Sequence, residues 1–342
     1  MMRFLVFAIV LLLLSCTGDK DEADKQRFLI KGNDALAKQE YKEALRYYTE
    51  ALKIDSCYTD ALNNVGIVQY ENGSYGEAVL NYDAALQCDP EFWEGYANRA
   101  NAYYELNELY RALDDLEYLE RKIPDSSSVY FGLGLVKTKM RKYDEALEAF
   151  DKALLLDSAN AEILVNRGTV YYYKEQFEEA LIDLDSAIMV DPDEANAYNA
   201  KALLRADQGN YEEALTLVNR ALEIETYQPY FLNNRGYIRM ELDDPEAVED
   251  INKSIVLDPQ NGWAYRNKAL WYMNQERYDQ AIALLDRAEK LDNFIDRLYY
   301  YKGVCYSKMN LTDKACEAWS RSFERNERTG SELVDMLKKY CE

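Results

Sequence analysis

Residues 161–194 read AEILVNRGTVYYYKEQFEEALIDLDSAIMVDPDE. Apolar residues recur at spacings of three and four in two blocks, which predicts two amphipathic helices. Gly168 stands in the first block and Ala180 twelve residues later in the second. These small side chains let two helices approach closely, and the bulky Phe177 and Leu184 would lock neighbouring units together. The stretch ends on Asp191-Pro192. Proline cannot donate a backbone amide and restricts the residue before it, so the second helix stops there.

The same arrangement returns on both sides. The position of Gly168 is matched by Gly32, Gly66, Ala100, Gly134, Ala202, Gly236, Ala269 and Gly303, in steps of 34 residues with a single step of 33. Alanines follow twelve residues after each (Ala44, Ala78, Ala112, Ala146, Ala180, Ala214, Ala281, Ala315), except that Ala247 follows Gly236 after eleven. Tyr41, Tyr75, Tyr143, Phe177, Tyr211 and Tyr278 precede those alanines by three, and a larger residue follows by four, as in Tyr48, Phe150 and Trp319. In the short copy, Asp243-Asp244-Pro245 supplies residues suited to capping and starting a second helix. A fixed period of this length marks a stacked helical array whose units bury their core only against one another.

In these columns the chain resembles the tetratricopeptide repeat family. The resemblance implies an all-α fold: an α-solenoid of nine helix pairs in a right-handed superhelix. The expected repeats span about 25–58, 59–92, 93–126, 127–160, 161–194, 195–228, 229–261, 262–295 and 296–329. Such arrays need closed ends. Residues 330–342 place Leu333, Met336, Leu337 and Tyr340 on one helical face and are expected to form a capping helix.

Residues 1–15 read as an address. Arg3 gives a positive start, and Phe4 to Leu14 is an apolar run, too short to span a bilayer and fitting a signal peptide. Leu13-Leu14-Ser15-Cys16 resembles the lipobox of bacterial lipoproteins, with Leu14 bulkier than many residues at that place. The resemblance implies acylation of Cys16 and cleavage before it. Thr17, in place of an inner-membrane retention Asp, implies the outer membrane rather than the inner, with the periplasmic or surface face left open. Residues 16–24 are polar and are expected to be a flexible tether.

Composition narrows the function. The chain of 342 residues carries 62 acidic against 40 basic side chains, a net charge of -22, which repels nucleic-acid backbones and anionic head groups. It holds no histidine, which removes the commonest general base and transition-metal ligand. No CxxC spacing suggests zinc. We expect no catalysis, no cofactor and no metal, since the repeats consume nearly every residue.

The candidate working surface is the face of the first helices, which in the resembled family lines the concave side. The sixth position of successive repeats reads Asn64, Asn98, Asn166, Asn234 and Asn267, with Asn199 one residue early. Asparagine is a mediocre helix former, so its return needs a reason. Its amide both donates and accepts, matching a peptide backbone, and family members grip extended peptides with such a row. The same residues could instead cap or cross-link adjacent helices. Tyr70, Tyr104 and Tyr172 stand six positions on and would add broad contacts to the face, or pack between first helices. Arg99, Arg167, Arg235, Lys201, Lys268 and Lys302 share the seventh position, poised to offset local acids or reach a partner's carboxylates. The full carboxylate clamp of some family members is not assembled by column. Gly132, with Phe131 and Leu135, interrupts the row in repeat four and reads as close helix packing.

Cys57, Cys88, Cys305, Cys316 and Cys341 are an odd set, so a complete disulfide framework is excluded. One or two disulfides would fit an oxidising compartment; we read these residues first as small buried apolar side chains. The expected function is a lipid-anchored scaffold that binds a protein or extended peptide of the cell envelope as adaptor or assembly factor. The alternative is a surface lipoprotein that captures a glycan or other ligand, suggested by the 30 tyrosines.

Overall fold

The computed structural model describes residues 2–292, 295–325, 327, 329 and 331–341, with side chains from residue 20 onward. Among them are nineteen helices and no strand. In chain order they are α1 (Met2–Ala37), α2 (Tyr41–Ile54), α3 (Thr59–Glu71), α4 (Tyr75–Cys88), α5 (Trp93–Glu105), α6 (Leu109–Lys122), α7 (Ser127–Lys139), α8 (Tyr143–Leu156), α9 (Ala161–Tyr173) and α10 (Phe177–Val190). There follow α11 (Ala195–Asp207), α12 (Tyr211–Ile224), α13 (Pro229–Glu241), α14 (Ala247–Leu257), α15 (Gly262–Met273), α16 (Tyr278–Leu291), α17 (Leu298–Lys308), α18 (Thr312–Glu324) and α19 (Glu332–Tyr340). The expected all-α fold of nine helix pairs and a cap is therefore present. The helices fall into two compact units, residues 1–170 and 171–342. Within each, a first helix packs on its own second helix, and first helices of successive repeats lie side by side.

A single backbone device makes every inner turn. Gln39, Asn107, Arg141, Glu175, Asp243, Glu276 and Asn310, with Gly73 and Gly209, all sit at positive φ, one per repeat. The residue after each donates its amide to a carbonyl five residues back, as Ser74 does to Gln69 at 2.8 Å and Lys142 to Lys137 at 2.9 Å. This left-handed C-terminal cap satisfies the last carbonyls of the first helix. Only two repeats place glycine where it is free of strain. At the outer boundaries, Asp89, Asp191 and Asp258 each accept the amide two residues on, at 2.9 Å. That turn, with the proline between, ends the second helix.

The core repeats one steric match. The α carbons of Gly32, Gly66, Gly134 and Gly303 lie so close to Tyr48, Tyr82, Phe150 and Trp319 that an added Cβ would sit 2.3–2.5 Å from the ring. Ala100, Ala202 and Ala269 stand in the same column and are buried, with the aliphatic Leu116, Val218 and Leu285 at the corresponding second-helix place.

Both ends are stapled, unlike the first reading of the cysteines. Cys57 is bonded to Cys88, joining the start of α3 to the end of α4, and Cys316 to Cys341, joining α18 to the end of α19. Leu333 of α19 is buried against Ala315 and Trp319, with Met336 and Leu337 beside them. The Tyr340 ring centroid lies 5.6 Å from that of Trp319. Beyond α18 the chain returns a carboxylate: Glu327 accepts the amides of Tyr299 and Tyr300 at 3.2 and 3.0 Å and so caps α17 from outside. Cys305 is unbonded and fully buried, and burial pushes its thiol up to about 12. We expect maleimide to label Cys305 only after denaturant is added. Labelling of the native protein at Cys305, located by peptide mass, would overturn that burial.

The segment expected as a tether differs. Residues 16–24 carry helical backbone continuous with α1. Pairs one turn apart support it: Lys25 with Glu22 at 2.9 Å and Arg27 with Asp24 at 3.2 Å. Lys25 also reaches Asp55 at 2.8 Å, tying α1 to the end of α2. The side chain of Cys16, the expected acylation site, lies outside the described residues. Among the described residues no helix is long and apolar enough to cross a membrane.

Candidate functional site

On a helix, residues at intervals of four, three and four share one face. In α3 this places Asp60, Asn64, Ile67 and Glu71 together; in α5 it places Glu94, Asn98, Asn101 and Glu105. The α3–α5 face of the first unit is therefore polar and partly open, with Asn64 and Asn98 half-buried.

The asparagines turn toward one another across that face. In the first unit, Asn64 donates to Asn33 at 2.8 Å, Asn98 to Asn63 at 2.9 Å, and Asn63 to Asn64 at 3.4 Å. The Tyr48 hydroxyl also donates to Asn33, and burial pushes this phenol up to about 12. In the second unit, Asn234 donates to Asn199 and Asn267 to Asn233, both at 2.9 Å, while Asn233 donates to Asn234 at 3.2 Å. Arg266 donates twice to the Asn267 side-chain oxygen, and Asn267 is buried. Asn166 stands apart from these chains and bonds to the Glu162 carbonyl of its own helix. The amides thus join consecutive first helices through Asn33, Asn63 and Asn233, which column counting had passed over because each lies one place or more out of register. Spare capacity remains: among the described residues no partner meets the Asn98 side-chain oxygen.

The tyrosines also reach sideways, each to the first helix of the following repeat. Tyr172 donates to Asp207 at 2.6 Å. Tyr104 receives Lys139, whose ammonium lies 4.1 Å from the ring centroid and donates to the Tyr104 carbonyl at 2.9 Å. Tyr70 is held up to about 12, first by burial and then by the Glu105 carboxylate. The ring of Tyr75 meets it at 5.2 Å.

Five of the six seventh-position cations turn to acids of this chain. Arg99 forks onto Asp115 at 2.8 and 2.6 Å and reaches Asp83 at 2.5 Å. Arg235 forks onto Asp250, both bonds 2.7 Å, and touches Asn219. Arg167 pairs with Asp151, Lys201 with Asp185, and Lys302 with Asp286 and Glu289. The aspartates sit fifteen or sixteen residues away on second helices, and Glu289 thirteen, so each pair ties a first helix to its own or the preceding repeat. Lys268 has Asn252 and Leu284 at those places and forms no ion pair among the described residues. Gly132 packs its α carbon against Leu116, as expected. Among the described residues no group of three ligands could hold a metal ion.

Family models described as "Tetratricopeptide repeat" match residues 165–229 and 127–160, and one described as "TPR repeat" matches 68–107. The barley (Hordeum vulgare) protein named "Probable UDP-N-acetylglucosamine--peptide N-acetylglucosaminyltransferase SPINDLY" is 30% identical over 156 residues, 44% of this chain and 16% of that one. The Hsp70-Hsp90 organizing protein 1 of Glycine max is 29% identical over 132 residues, 38% of this chain and 23% of that one. The chain thus spans less than a quarter of either relative. Among solved structures, a chain of the Cut9-Hcn1 hetero-tetramer superimposes with TM-score 0.65 at 16% identity, covering 89% of this chain and 60% of that one. The pilF protein of Pseudomonas aeruginosa does so with TM-score 0.53 at 19% identity, covering 62% and 96%. At these identities the structural likeness speaks for the fold alone.

Proposed function

We propose, from the premise of a chain built of tetratricopeptide repeats, that this protein is a non-catalytic scaffold held to an envelope membrane by lipid on Cys16. Its first-helix faces would take an extended segment of another envelope protein, as adaptor or assembly factor. The observation that carries this reading is the polar row itself. Within each unit it joins successive first helices, with a break at Gly132 and Asn166, and its amides keep unused donors and acceptors for a passing backbone. The soybean relative's name, an organizer of two proteins, agrees with a role in assembly. The two disulfides agree with an oxidising compartment, where an outer-membrane lipoprotein would reside.

Two variants separate anchor from face. Cys16→Ser is expected to abolish palmitate labelling and move the protein out of the membrane fraction; unchanged labelling and partition would remove the lipid anchor. Asn64→Ala with Asn98→Ala is expected to lose a crosslinked envelope protein that the parent captures, while keeping its helical circular dichroism. Asn267 is unsuitable for this purpose, since it is buried and its loss would report on folding. Equal capture by parent and variant would move binding off the first-helix face.

A further inference from the structure

The first-helix faces of the two units differ in charge. In the first unit, Asp60 and Glu94 open α3 and α5, and Glu71 and Glu105 close them; all four are exposed. Among the described residues none of the four takes part in a salt bridge. Of the nearby cations, Arg99 is engaged by Asp83 and Asp115 and Lys137 by Glu145, while Lys139, seated at Tyr104, feels the Glu105 charge without pairing to it. At the matching places the second unit offers Asn196, Tyr230, Trp263 and Arg297 at the helix starts, and Asp207, Glu241, Asn274 and Lys308 at the ends. Its face is mixed and aromatic, with Arg266 lying over Trp263.

The repeat also shows what one such place accepts. At Tyr104 the residue thirty-five positions on is Lys139, and its ammonium occupies the ring face. At Tyr70 the equivalent residue is Glu105, so the chain supplies a carboxylate where the neighbouring repeat supplies a cation. A ring beside two carboxylates, carrying no cation among the described residues, is complementary to a side-chain ammonium or guanidinium.

We infer that the α3–α5 face binds an extended lysine- or arginine-rich segment of a protein partner, with a cationic side chain seated between Tyr70, Glu71 and Glu105. The inference rests on the scaffold reading and names the chemistry of its partner. The cations would align with carboxylates at both helix ends, while Asn64 and Asn98 meet the backbone between them. Exposed pairs are weak singly and add along a row.

The test uses the full chain in detergent and three short labelled peptides of equal length, rich in Lys, Glu or Ser, read by fluorescence anisotropy. The Lys peptide is expected to bind, and more weakly as salt rises. Glu71→Gln with Glu105→Gln should raise its Kd about three- to tenfold, as two lost exposed ion pairs imply. Glu178→Gln with Glu212→Gln removes the same charge from second helices and should leave Kd unchanged. Equal weakening by both pairs would make the effect one of net charge and overturn the site. Binding of the Ser or Glu peptide in preference to Lys, lost in Asn64→Ala with Asn98→Ala, would overturn the basic partner while keeping the face. No binding of any peptide would overturn both.

Discussion

Replacing Asp250 by Ala is expected to destabilise the second unit by about 3–5 kcal/mol, the range for removing one partner of a buried ion pair. Asp250 is only 4% exposed and gathers two guanidiniums. Arg235 donates to it twice at 2.7 Å, and Arg239 once at 2.6 Å. Arg239 then continues to Asp244 at 3.3 Å and Glu246 at 2.8 Å. Without the central carboxylate, two largely buried cations would face each other with nothing between. The network keeps its pairing in the short repeat. Deleting one residue at its inner turn brings Asp250 to fifteen residues from Arg235, where Asp115 stands sixteen from Arg99.

Urea unfolding followed by circular dichroism would measure the loss, with Trp263 in the following repeat as a local probe. Because repeats couple to their neighbours, the variant should first show a separate early transition around α13 to α15. Glu246→Ala is the control, since Glu246 is exposed and its pair should contribute under about 1 kcal/mol. A fall for Asp250→Ala no larger than for Glu246→Ala would mean that the arginines find water or other acids at no cost. An apolar triple replacement, Arg235→Met, Arg239→Met and Asp250→Leu, should recover much of the loss.

How far the sequence carries depends on where each residue's partner sits. The 34-residue period is legible because every repeat solves the same packing problem with the same small and large residues. The face was legible too, since spacings of four and three place Asn64 with Asp60 and Glu71 whatever the neighbours do. The directions of the side chains were not. Asn98 meets Asn63, thirty-five residues away and one column over, a contact set by how α3 and α5 lie together. The seventh-position cations could have been resolved from sequence alone. Asp83, Asp115, Asp151, Asp185 and Asp286 stand sixteen residues from their Arg or Lys, a recurrence as regular as the glycines. Disulfides were the opposite case: separations of 31 and 25 residues say nothing until helix ends are placed, and then Cα–Cα distances of 5.5 and 5.6 Å permit bonding. The left-handed turn column was visible only at Gly73, Gly209 and the Asn and Asp positions. Gln39, Arg141, Glu175 and Glu276 adopt the same φ because the two helices they join over-determine it.

The steric match in the core makes a second large prediction. Phe150 is fully buried, and Phe150→Ala should cost about 3–5 kcal/mol. Gly134→Ala should also destabilise, by about 1–3 kcal/mol, although it adds a single methyl group to a helix. Helix propensity would favour alanine by about 1 kcal/mol. Packing should win, because the new Cβ would lie 2.4 Å from the Phe150 ring, and that ring is held by its own surroundings, with Phe131 at 6.0 Å between centroids. Making both changes in reduced form tests the reason. Gly134→Ala with Phe150→Leu recreates the Ala100/Leu116 and Ala269/Leu285 pairs that this chain already uses. The double variant should therefore be more stable than the sum of its two single changes by at least about 1 kcal/mol, within the range of coupling between residues in contact. Thermal unfolding of the four proteins in one double-mutant cycle gives that number. Simple additivity would mean that the glycine column serves backbone freedom and not ring clearance; but Gly134 lies mid-helix, where such freedom destabilises. Coupling would instead establish that glycine at this place clears the Phe150 ring, and that the repeat tolerates exchange of the pair better than of either member.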